Sequence, residues 1–386
     1  MHRRILAAAL VPVLACIWDS DTLDDEVLRL PEAGTLVVSG RWFRHGKAYY
    51  EKRVREIPPR LAAEPAHLDL YDDLAVAHDR LGDFAAALEV MARKARALEA
   101  VPDTGHRYRL LANRGTFLSH AGRYDEAIAD LEKALAMNPE SHFGRERFQI
   151  DLVRYLRAAR KDPALWELEC FLSFARVWPE MTRFGRLSFG GPDAPSPSES
   201  DEKEPAFREV AWQEAYAAIA GMLRFGGPEA PELYRVLGDL FQGRRDLNLA
   251  WWSWRRAVDL GHPGRAAIER AMAAVERHWD GADLYTRPTA ATVRRVREAE
   301  SYWLAALHEA EATALAQGRD AGDPAVIKEL AASAERRAGS PAAATEFLFL
   351  RWVQAYWKMI AFLVGATSTI ALVHLWQRRR MRLQTA

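Results

Sequence analysis

Cysteine is scarce in this chain of 386 residues, which holds only Cys16 and Cys170. Two are too few for a disulfide framework, and neither lies in a CxxC or Cys/His spacing, which argues against structural zinc. A single Cys16–Cys170 bridge stays open, although the apolar run "WELECFLSF" around Cys170 favours a buried, inert thiol. An excess of one charge sign is also missing. Fifty-three Lys and Arg balance 53 Asp and Glu, leaving no long-range field to gather nucleic acid or an anionic surface, so no nucleic-acid partner is expected. No Gly-rich phosphate loop, HExxH helix or GxSxG elbow occurs, and neither a cofactor nor a metal is expected. β-type patterning is confined to "TLVVSG", Thr35 to Gly40, which predicts one short strand. Long charge-free runs are confined to the two ends.

The first run follows "MHRR" and reaches Ile17 before an acidic stretch. That order predicts an export signal too short to span a bilayer. Val13 and Ala15 are small residues of the kind a signal peptidase accepts, so residues 1–15 are expected to be a signal peptide. The same "VLAC" resembles a bacterial lipobox, in which Cys16 would carry the lipid. Leu14 is bulkier than that pattern favours, and both outcomes stay open. At the far end, residues 359–376 run without Asp, Glu, Lys or Arg. They make roughly 18 residues, about 27 Å as a helix, which suits one crossing. Trp357 and Trp376 flank the run, and Arg378, Arg379, Arg380 and Arg382 follow it. The basic bias predicts a bacterial inner-membrane span with residues 377–386 as a cytoplasmic tail and the body in the periplasm. Ala361, Gly365 and Thr369 form a small-residue stripe through which two spans would pack as a homodimer.

Between the ends, "HAGRYDEAIADLEKALAMNPE" (His120 to Glu140) spaces small and large residues in a set pattern. Gly115 and Ala127 suit the closest approach of two antiparallel helices, and Ala134 opens room for the next unit. Leu111, Leu118 and Leu131 fill the space between, and Leu135 falls in the same register. Gly122 makes the turn before Tyr124, and Pro139 stops the second helix. An earlier copy carries Tyr71, Leu74, Ala75, His78, Gly82, Phe84, Ala87 and Met91 in the same register. A divergent third carries Tyr234, Leu237, Gly238, Phe241, Ala250, Trp254 and Ala257, with His262 where proline is expected.

These copies resemble the tetratricopeptide repeat. The resemblance implies an all-α, helical-hairpin array, here with a long C-terminal helix and the single C-terminal transmembrane helix. The predicted organisation is a leader over 16–66, two repeat units over 67–140 and a repeat-like helix pair over 141–182. A Gly/Pro/Ser linker over 183–205, divergent repeat-like helices over 206–282 and long helices over 283–345 follow. Within the pair, Phe148, Leu152, Leu156 and Ala159 mark one helix, and Leu165, Leu168, Leu172 and Ala175 the other. "CIWDSDTL", "SGRWFRHGKAYYEKRV" and "YDDLAVAHDRLGD" also resemble an uncharacterised group of exported bacterial tetratricopeptide proteins.

The family's members are protein-binding scaffolds with a groove lined by the first helix of each pair. The resemblance thereby implies a groove at Asp69, Asp72, Val76, Asp79, Arg109, Ala112, Thr116 and Ser119. Its acidic first half would favour polar or basic segments of a partner, an unidentified envelope protein. The alternative for each position is a solvated helix face. "FRHGK" resembles the Arg-His-Gly core of histidine phosphatases, in which His45 would take the phosphoryl group and Arg44 hold it. The α/β sheet that presents that motif has no support here, so an exposed turn and no enzyme activity are expected, with the phosphatase kept as the alternative. "DSDTLDDE" (Asp19 to Glu26) has carboxylates of a calcium loop but lacks its glycine and closing glutamate. Among Trp251, Trp252 and Trp254, the last occupies a repeat core position.

Overall fold

A computed structural model describes residues 33–139, 144–180, 208–227, 229–279 and 288–338. The expected signal peptide, Cys16, the acidic stretch 19–26, the linker 183–205, the span 359–376 with its Ala361, Gly365 and Thr369 stripe, and the basic tail lie outside the described residues. Among the described residues no helix is long and apolar enough to cross a membrane.

The described chain is an all-α helical repeat with one short strand pair. Helices α1 (Lys47–Ala63), α2 (Leu68–Arg80), α3 (Phe84–Ala100), α4 (Thr104–His120) and α5 (Tyr124–Met137) come first. Helix α6 (Arg145–Lys161) precedes two single-turn helices, α7 (Leu165–Leu168) and α8 (Phe171–Phe174). Strands β1 (Val177–Glu180) and β2 (Arg208–Ala211) pair in parallel, Val177 opposite Arg208. Then follow α9 (Trp212–Phe225), α10 (Pro231–Gly243), α11 (Leu247–Asp259), α12 (Arg265–Trp279), α13 (Ala290–Ala316) and α14 (Pro324–Ala338).

Three hairpins share one local code. Helix α2 turns into α3 through Gly82 at φ 81°, and α4 into α5 through Gly122 at φ 71°. In each turn the next N–H bonds back to the first helix, Asp83 to His78 O at 2.9 Å and Arg123 to Leu118 O at 2.8 Å. The third hairpin, α10–α11, makes the same bond from Asp246 to Phe241 O at 2.9 Å. Its left-handed residue is Arg245 at φ 61°, not glycine. Asp83 and Asp246 then cap the second helices by accepting from Ala86 N and Leu249 N.

Small residues set the crossings. A Cβ on Gly115 would stand 2.7 Å from Leu131 Cγ and 3.2 Å from Ala127 O. Leu74, Ala75, Ala87, Ala127, Ala134, Ala250 and Ala257 are all buried. Pro139 follows the C-cap residue Asn138 at the end of α5. Trp251, Trp252 and Trp254 are all buried, so the two unassigned tryptophans are core as well.

Three expectations need correction. Thr35–Ser39 is a π-helical turn, not a strand, closed by Gly40 N to Thr35 O at 2.8 Å. Leu36, Val37 and Val38 are all buried against α11 and α13, and a strand would have turned alternate residues outward. The second helix of the expected pair is broken between α7 and α8. Glu169 is extended there, and the backbone carbonyls of Leu165 and Glu169 accept from the Tyr155 hydroxyl, which leaves Leu168 62 % exposed. Residues 33–63, expected within a leader, are part of the body. The π-turn packs on α11 and α13, and α1 packs on both α2 and α13. The N-terminal arm therefore joins the first repeat to the long 27-residue helix near the other end.

Candidate functional site

The eight expected groove positions lie on α2 and α4, and the structure buries six of them: Asp72, Val76, Asp79, Ala112, Thr116 and Ser119. Their polar atoms serve the seams between repeats. Asp72 accepts from Lys94 Nζ of α3 at 2.5 Å and from Asn113 Nδ2 of α4 at 3.0 Å. Asp79 meets His120 Nδ1 at 2.5 Å. The Thr116 hydroxyl donates to Ala112 O and accepts from Gln149 of α6, and Ser119 donates to Thr116 O. Only Asp69 and Arg109 reach solvent, and they pair at 2.7 Å. At the C-terminal end of α2, Arg80 donates to the carbonyls of Phe225 and Gly226, which ties that end of the helix to the end of α9.

Two of the acidic groups expected to attract a basic partner are thus neutralised within the fold. Spacing alone cannot separate a groove-facing position from a seam-facing one, because both recur at the helical period. Burial pushes the Asp72 carboxyl up to about 6 even beside Lys94, and the same burial lowers the Lys94 ammonium. Burial, reinforced by the charges of Lys94 and Arg109, takes the His106 imidazole down to about 4. Asp69, Asp72 and His106 bring three donor atoms of metal-ligand type within 4.8 Å. Lys94 and Arg109 already supply the cationic charge there.

The Arg-His-Gly turn is not the exposed loop expected of it. His45 Nδ1 lies 2.5 Å from Glu311 Oε1, with side chains 9 % and 1 % exposed. The second carboxylate oxygen of Glu311 accepts from Gly46 N at 2.7 Å. The His45 ring stacks on Tyr49 at 3.7 Å. Arg44 donates to Gly40 O at 3.0 Å and to Glu300 Oε1 at 3.3 Å. A Cβ on Gly46 would stand 2.9 Å from the His308 ring, so glycine lets the backbone approach α13. Glu300 and Glu311, both on α13, anchor the arm at two points. Against the cost of burial, Arg256 and Arg297 hold the Glu300 carboxyl below its ordinary range.

A third polar centre escaped the sequence reading. His262 Nδ1 accepts from Gly264 N at 2.9 Å, so its Nε2 carries the proton and donates to Glu232 at 2.5 Å. Glu232 also accepts from Phe171 N, tying α10 to α8. The residue in place of the repeat's proline is therefore a tether. Its only sequence signal was that exception. Cys170 is buried beside this centre, and burial raises its thiol well above the ordinary value, in keeping with the inert thiol expected.

Helical hairpins joined through small-residue seams define a helical repeat. The tetratricopeptide repeat family matches residues 108–141, which span α4 and α5. Comparison with curated proteins finds no match.

Proposed function

We propose that this protein is a single-pass, membrane-anchored tetratricopeptide scaffold of the bacterial cell envelope that recruits another envelope protein. The observation that carries the protein-binding reading is the α4–α5 hairpin, where the family match coincides with the Gly115–Leu131 crossing and the Gly122 turn. Repeats of this kind are protein-interaction modules. The proposed address rests on the sequence: an apolar N-terminal run and the charge-free segment 359–376 followed by arginines. On this reading the body faces the periplasm, the C-terminus the cytoplasm, and the chain belongs with exported repeat proteins. Close packing through Ala361, Gly365 and Thr369 would make it a homodimer.

The scaffold is favoured over a phosphatase because Arg44 and His45 are both engaged by carboxylates of α13. A phosphoryl group would have to displace Glu311 to reach His45 Nδ1. Membrane fractionation with protease added from each side tests the topology. Crosslinking and pull-down of the full-length chain from the envelope fraction tests the recruitment. The reading predicts carbonate-resistant membrane association and a reproducible partner; a soluble protein that retains nothing at several salt concentrations would sink it. Phosphomonoesterase activity abolished by His45→Ala would replace it with the enzyme reading.

A further inference from the structure

The buried repeat face leaves open the question of where a partner would bind. A cleft of about 740 Å³ opens between α11, α12 and the first turns of α13. Helix α11 offers it Trp251, Arg255 and Asp259, one turn apart, and α13 offers Val293, Arg294 and Arg297. Its apolar lining is the buried Trp251 and Val293 at the floor and the more exposed Pro288 and Ala290 at the side. Glu276, its other acid, accepts from Trp251 Nε1 at 2.8 Å.

The charge around the cleft does not balance. Arg255 and Arg297 both turn to one carboxylate, Asp259. The other carboxylate within reach of Arg297, Glu300, is already shared with Arg44 and Arg256. Four guanidinium groups therefore share two carboxylates. Arg255 Nε and Arg297 Nη2 are buried without a hydrogen-bond acceptor, a deficit that costs stability until an acceptor arrives. Arg294 adds a further cation at the mouth, exposed and without an ion pair among the described residues. The N-terminus of α13, capped by Thr289, contributes positive potential from the same side.

We propose that this cleft docks an acidic segment of a partner protein, carboxylates on Arg294 and the Arg255–Arg297 pair and an apolar side chain on Pro288 and Ala290, over the buried Trp251 and Val293. The inference rests on the scaffold reading and reverses the chemistry expected of the repeat groove. An isolated small anion would meet the arginines but leave the apolar lining uncovered, and a cleft of this size holds several side chains.

The test uses the full-length protein in mild detergent and fluorescein-labelled peptides of about ten residues. One peptide is rich in Glu with a central Leu, one replaces each Glu by Gln, and one replaces each Glu by Lys. The acidic peptide should bind, weaken as salt rises, and lose about tenfold or more in affinity with Arg294→Glu, while Arg294→Lys stays near wild type. Circular dichroism of both variants should match the wild type, since Arg294 is exposed. Equal binding of the acidic and Gln peptides, or no effect of Arg294→Glu, would overturn the proposal. Displacement of the peptide by inorganic phosphate at equal concentration would also overturn it, because the apolar lining would then contribute nothing. Should the wild type capture an envelope partner that Arg294→Glu also keeps, the scaffold reading survives and this cleft is not its docking site. Should the wild type capture none, the scaffold reading itself fails.

Discussion

The indole of Trp254 occupies the space a side chain on Gly238 would need: a Cβ there would stand 2.2 Å from Trp254 Cδ1 and Nε1. The indole is fully buried and its N–H donates to Asp239 at 2.9 Å, so it has a fixed place between α10 and α11. Gly238→Ala is expected to lower the unfolding free energy by about 1–3 kcal/mol or more. Gly115→Ala should cost less, because the Leu131 side chain it meets can change rotamer. Urea unfolding of both variants checks the order; a harmless Gly238→Ala would mean that the third hairpin does not pack as described.

Arg245 holds a left-handed backbone at the turn where Gly82 and Gly122 serve the other two hairpins. A non-glycine residue in that conformation costs about 1–2 kcal/mol, partly offset by the lower entropy of its unfolded state. Arg245→Gly should therefore stabilise the protein by about 0.5–1 kcal/mol. Gly82→Ala should destabilise it by a similar amount, and a thermal melt that ranks the two the other way contradicts the turn assignment.

The Asp72–Lys94 pair is buried on both sides. Lys94→Met alone leaves the buried Asp72 carboxylate with only Asn113 and the more distant Arg109 and should cost about 3 kcal/mol, whereas Asp72→Leu with Lys94→Met should cost much less. A double-mutant cycle in guanidinium chloride measures the difference. If the double variant were as damaged as the single, the loss would be one of packing rather than of charge.

Asp72 and His106 impose opposite pH slopes on stability. With its folded value raised to about 6, the contribution of Asp72 is complete below about pH 4 and is lost as pH rises through 6. His106, lowered to about 4, contributes fully above about pH 6.5, and that is lost as pH falls through 4. The stability of wild type minus Asp72→Asn should therefore fall from pH 4 to 6. The same difference for His106→Gln should rise over pH 4 to 6.5. Parallel slopes would place one of these groups in solvent.

Glu311 accepts from both His45 Nδ1 and Gly46 N. A glutamine there keeps only one acceptor oxygen, so Glu311→Gln should cost about 1.5–3 kcal/mol. Hydrogen exchange should quicken over residues 33–63 while α2 to α5 stay protected. Unchanged exchange in the arm would show that its apolar contacts hold it without the carboxylate.

Helix spans were legible wherever apolar spacing was regular: α13 and α14 fall within the expected long helices over 283–345, and α6 buries its four marked residues. The groove positions were less so, since Thr116 and Ser119 carry nothing locally that says Gln149 or a neighbouring turn will claim their hydroxyls. The strand pair left no signal, because four residues on each side have no room for a pattern. Nor did the sequence mark the arginine cleft, whose walls come from three successive helices.

By itself the sequence determined the hairpins, because their instructions are local: a small residue at the crossing, a left-handed turn residue and a capping carboxylate all act within one or two helix lengths. Tertiary structure alone decided that the arm belongs to the body and which charges are spent inside the fold. His45 and Glu311 are 266 residues apart in the chain, and no periodic pattern records a hydrogen bond over that distance. Whether Asp72 faces a partner or Lys94 depends on how one helix rotates against the next, a degree of freedom that only packing removes.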